Sequence, residues 1–91
     1  MKIKAEIIVK GFVQGVGYRY YCYRKAIEFG LTGYVKNLIN GNVELVAEGE
    51  KSMVKDFVRE LKIGPSHAKV NTISVEEFPF TNEFEKFEIL K

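Results

Sequence analysis

An α+β fold of split βαβ type, with two helices on one face of a mostly antiparallel sheet, is what this sequence predicts. Three observations lead there. Apolar residues recur with strand and helix periods in the order strand, helix, strand, strand, helix, strand, followed by a short extra strand. Both helical stretches run into glycine, at Gly30 and at Gly64-Pro65. Between the two middle strands lie only Leu38, Ile39, Asn40 and Gly41, a connection of hairpin length.

The first strand is expected over Ala5 to Lys10, where Ala5, Ile7 and Val9 alternate with Lys4, Glu6, Ile8 and Lys10. A glycine-rich loop follows. The first helix is predicted from Tyr18 to Phe29 because Tyr18, Cys22, Ala26 and Phe29 stack on one face. Thr32 to Asn37 and Asn42 to Glu48 read as strands. In the second of these, Val43, Leu45 and Ala47 alternate with Glu44, Val46 and Glu48. A second helix starts between Glu50 and Ser52, since Val54, Phe57, Val58 and Leu61 keep the i, i+3, i+4, i+7 spacing. A strand is expected around Val70 to Phe78, then a turn near Pro79 to Asn82 and a last strand around Phe84 to Ile89. The sum is a ferredoxin-like βαββαβ sandwich with a short C-terminal strand, one domain spanning residues 1–91.

Composition narrows the partners. With 46% apolar and 29% charged residues, the chain has the balance of a globular domain that can bury one core. A formal charge of +2 is far from the basic excess that binding many nucleic-acid phosphates demands, so no nucleic-acid partner is expected. Lys2, Lys4, Glu6 and Lys10 interrupt the early apolar runs, so neither a signal peptide nor a membrane partner is expected, and the single Cys22 cannot form an internal disulfide. These features read as cytoplasmic, and nothing in the sequence asks for more than a monomer.

The chemistry concentrates between Gly11 and Arg19, where three glycines sit at a strand-to-helix transition. Gly15 and Gly17 can adopt positive φ and present no Cβ, so successive N–H groups can converge on one anion at a helix N-terminus. Arg19 adds a planar fork suited to two phosphate oxygens. Ordinary turn glycines and a solvated arginine would look alike by composition. Known phosphate loops do not fit: Val16 stands where a Walker loop needs its second glycine, and the dinucleotide spacing begun at Gly15 fails at Tyr20.

Two motifs extend this reading. The first is Gly11-x-Val13-Gln14-Gly15-Val16-x-Tyr18-Arg19, and the second is Gly33-Tyr34-Val35-Lys36-Asn37, three residues, Gly41-x-Val43, five residues, Gly49. In both, the chain closely resembles the acylphosphatases, small enzymes that hydrolyse the carboxyl–phosphate bond of acyl phosphates. The motifs cover about half the chain, with no departure from the family pattern. The resemblance implies that main-chain amides of Gln14, Gly15, Val16, Gly17, Tyr18 and Arg19 cradle phosphate and that the Arg19 side chain binds two non-bridging oxygens. It also implies that Asn37 holds the attacking water and that no covalent enzyme intermediate forms. By itself Asn37 reads as a turn residue ending a strand; its place in the second motif assigns it to the site. The expected substrate is a small acyl phosphate, with inorganic phosphate as product and inhibitor, and no cofactor or metal.

Other residues offer weaker alternatives. A Cys-x5-Arg phosphatase loop at Cys22 would need arginine where Glu28 stands, and Cys22 lies on the apolar helix face, so a buried structural thiol is expected. His67 follows Gly64-Pro65-Ser66 without a second ligand nearby, the pattern of a solvated loop residue. Lys10-Gly11-Phe12 matches the opening of an RNA-recognition strand motif, but Val13-Gln14-Gly15 breaks it and the tyrosines that could stack on bases lie on a helix.

Overall fold

The computed structural model describes all residues 1–91. Seven elements follow in the predicted order: β1 (Lys2–Phe12), α1 (Tyr18–Glu28), β2 (Thr32–Asn37), β3 (Val43–Glu50), α2 (Lys51–Ile63), β4 (Lys69–Pro79) and β5 (Phe87–Leu90). The strands form one sheet in the order β4-β1-β3-β2-β5. All neighbours are antiparallel except β2 and β5, which run parallel.

Strand alternation decides which face is buried. Ile3, Ala5, Ile7 and Val9 of β1 pair with Gly49, Ala47, Leu45 and Val43 of β3, so the small and branched residues of both central strands share one face. Both helices cover that face. Tyr18, Cys22 and Ala26 of α1 and Val54, Phe57 and Leu61 of α2 are buried in the same core. Phe57 meets Phe87 of β5 edge to face, with ring centres 6.1 Å apart.

The opposite face of the sheet is crossed by residues 80–86. β4 and β5 occupy opposite edges, so their connection cannot be the tight turn expected near Pro79 to Asn82. It passes over the sheet instead. The buried Glu48 carboxylate accepts from Thr81 N and Oγ1, both at 2.7 Å, and from Glu83 N at 3.2 Å. Lys4 pairs with Glu83 at 2.6 Å, and Phe84 packs against Tyr34. The last strand therefore begins at Phe87 rather than Phe84, because Phe84 packs its half-buried ring against Tyr34 before the chain reaches β2. Burial alone would push the Glu48 carboxyl up; hydrogen bonds from Thr81 and Glu83 outweigh it and hold that carboxyl below its ordinary value.

Candidate active site

The loop joining β1 to α1 ends at Gly17, which caps the helix in a left-handed conformation at φ 76° and makes no side-chain cap. Gly15 is likewise left-handed at φ 74°. A side chain at either position would be strained, and a Cβ there would also stand in the open space beside the loop. The first helical bond is Tyr21 N to Gly17 O at 3.1 Å. The main-chain amides of residues 14–20 donate to no acceptor of the protein. No acidic residue occupies the first turn of α1, so nothing competes with an external anion for these donors.

Gly15, Gly17 and Arg19 line a cavity of about 220 Å³ together with Asn37, the last residue of β2. Sequence separation is bridged by topology, since α1 returns the chain so that β2 ends beside the loop that follows β1. Arg19 is half-buried, and its Nη1 donates to the Leu90 carbonyl at 2.9 Å, so the end of β5 holds the guanidinium. The Asn37 Oδ1 is buried and has no hydrogen-bond partner, alone among buried side-chain polar atoms. An orphaned acceptor of this kind is costly unless a ligand or water satisfies it.

The remaining expected loop residues contribute differently. Gln14 and Val16 do not line the cavity. Val16 packs against the core, while Gln14 Nε2 donates to the carbonyls of Leu38 at 2.8 Å and Asn42 at 2.9 Å. The Gln14 side chain thus ties the glycine loop to the β2–β3 connection just beyond Asn37. Tyr18 turns its ring inward, and its hydroxyl donates to Leu61 O at 2.7 Å, joining α1 to α2. Burial pushes the Tyr18 phenol far above its ordinary value, so it stays a neutral donor. Sequence reasoning missed the Gln14 side chain and the Leu90 carbonyl. A long amide between loop residues was a possible signal for Gln14; a main-chain oxygen carries none.

Cys22 is buried, and burial pushes its thiol far above the ordinary value, as expected of a structural residue. His67 is exposed in the turn before β4. No group of three or more His, Cys, Asp or Glu side chains is placed to hold a metal ion, and no helix is long and apolar enough to cross a membrane.

An uncapped helix N-terminus, free loop amides and an arginine surround one concavity on a split βαβ sheet. The family model described as Acylphosphatase matches residues 5–89. An acylphosphatase from Geotalea uraniireducens is 44% identical over 89 residues, 98% of each chain. The crystal structure of the acylphosphatase from Bacillus subtilis superposes with a TM-score of 0.95 at 39% identity, covering 98% of this chain and 99% of that one. One from Coxiella burnetii gives a TM-score of 0.92 at 37% identity, covering 98% and 93%. The chain belongs to the acylphosphatase family, whose substrates are acyl phosphates and whose product is phosphate.

Proposed function

We propose that this enzyme hydrolyses acyl phosphates by direct attack of a water oriented by Asn37 on a phosphoryl group held by Arg19 and the main-chain amides of residues 14–19. The observation that carries this reading is the orphaned Asn37 Oδ1, buried beside the same cavity that Arg19, Gly15 and Gly17 line. An amide cannot act as a base at neutral pH, but its oxygen can accept from a water and so set that water's line of approach.

The water oxygen forms a bond to phosphorus while the bond from phosphorus to the carboxylate oxygen breaks, its electron pair leaving with the carboxylate. The water proton passes to a phosphate oxygen. A carboxylate leaves readily, so no strong general acid is required. Charge that builds on the equatorial oxygens is met by the guanidinium and the free N–H groups. Neither step calls for a metal or a covalent enzyme intermediate, and residues 1–91 act as one catalytic unit on a small molecule.

Benzoyl phosphate hydrolysis in the presence of a chelator tests this reading. Wild type should turn over, with inorganic phosphate a competitive inhibitor. Arg19→Ala and Asn37→Ala should each lose about 10²–10³ in kcat while remaining folded. Substantial turnover by the Asn37 variant removes its role, and unchanged phosphate affinity in the Arg19 variant removes that residue from the cradle.

A further inference from the structure

The cavity has an outer wall beyond the residues assigned above to phosphate and water. Tyr20 lines it and is 60% exposed, stacked on Tyr23 one turn along with ring centres 6.3 Å apart and planes 25° from parallel. Tyr18 faces the core, and Tyr20 follows it by two residues, about 200° around the helix, so Tyr20 stands on the side of α1 turned away from the sheet. Helical side chains lean toward the N-terminus, which carries this ring toward the glycine loop. Asn37, by contrast, ends a strand of the sheet. Tyr20 thus reaches the cavity from the outer side of α1 and Asn37 from the sheet.

In-line displacement places the leaving oxygen opposite the attacking water. A water held by Asn37 on the sheet side therefore sends the carboxylate, with its acyl group, outward past α1. We propose that the Tyr20 ring is the acyl subsite of this enzyme and selects acyl phosphates whose acyl group is flat and apolar, aromatic acyl groups above all. The stacked pair with Tyr23 limits the motion of the ring, so its face is available without the cost of ordering an isolated side chain. Ile89, 40% exposed at the cavity's edge, extends the apolar surface on the β5 side. This inference rests on the water-orienting role of Asn37, because that role fixes the direction in which the leaving group departs.

The test compares kcat/KM for benzoyl phosphate with that for acetyl phosphate. The two carboxylates differ in leaving ability, but that difference is common to every variant and cancels when ratios are compared. Tyr20→Ala should lower the benzoyl-to-acetyl ratio about five-fold, the scale of one lost aromatic contact. Tyr20→Phe, which keeps the ring face and loses the hydroxyl, should restore it. An unchanged ratio in Tyr20→Ala overturns the subsite, as does a Tyr20→Phe variant that behaves like the alanine variant. Asn37→Ala measured alongside separates the two ideas: if it is crippled while the Tyr20 ratio stays fixed, only the acyl subsite fails, and if it is fully active, the in-line geometry fails with it.

Discussion

The guanidinium of Arg19 donates from Nη1 to the main-chain oxygen of Leu90 at 2.9 Å, joining the first turn of α1 to the end of the last strand. Leu90 lies 71 residues further along the chain and contributes only its backbone. An arginine on a helix turn would otherwise sample many rotamers, and under the proposed role of Arg19 each one away from the cavity reduces the fraction of molecules ready to bind.

Removing Leu90 and Lys91 should therefore raise the inhibition constant for inorganic phosphate and lower kcat/KM about ten-fold, in line with the loss of one hydrogen bond to a charged group. Competitive inhibition by phosphate and steady-state rates check this. A truncated chain with wild-type phosphate affinity would show that the Leu90 contact does not prepare Arg19 for the anion.

Gln14 offers a second coupling, since its Nε2 bridges the carbonyls of Leu38 and Asn42 next to Asn37. In Gln14→Ala both part-buried carbonyls lose a donor, costing about 1–2 kcal/mol, and Tm should fall by roughly 4–12 °C for a domain of this size. With Asn37 in its proposed role, the kcat should fall more than KM rises, because the loosened connection misplaces the water rather than the phosphate. Gln14→Glu should not rescue, since an ionised carboxylate has no proton to donate to two carbonyls.

Glu48 makes stability depend on acid pH. Its folded-state carboxyl lies below its ordinary value, so the unfolded chain takes up the proton first as pH falls. The contribution is complete above the ordinary carboxylate range near 4.3 and is lost as pH drops through the lower folded value. Urea unfolding at neutral and acid pH should show this loss in wild type. Glu48→Gln should be about 2 kcal/mol less stable at pH 7, because its NH2 must face either the Thr81 donors or the Glu83 N–H, whichever oxygen it replaces, and should lose less on acidification.

Cys22 should resist alkylation in the native state. Buried, with its thiol pushed up by that burial, it offers little thiolate and no access. Iodoacetamide at pH 8 should leave activity intact over an hour, with labelling only at the rate of unfolding. Rapid modification with loss of activity would reopen a catalytic thiol.

The order of elements was legible because each rests on contacts close in sequence. Alternation in Ala5–Lys10 and the i, i+3, i+4, i+7 spacing from Val54 to Leu61 report directly on which side of a strand or helix is buried. The ends were less legible: β1 extends to Lys2 and Phe12, beyond the run where alternation is clean, because neighbouring strands supply hydrogen bonds regardless of side chain. The loop's conformation was legible too, as glycines with positive φ beside a helix start are local features.

What the chain's sequence determined by itself is the inventory: which segments bury which face, and where a glycine loop meets a helix start. Tertiary structure alone decided that Asn37 meets Arg19 across one cavity, that Leu90 holds the guanidinium, that Gln14 braces the neighbouring connection, and that residues 80–86 cross the sheet above Glu48. Side-chain period is a property of a few consecutive residues, whereas these contacts depend on strand order and on main-chain carbonyls, which every residue type supplies alike.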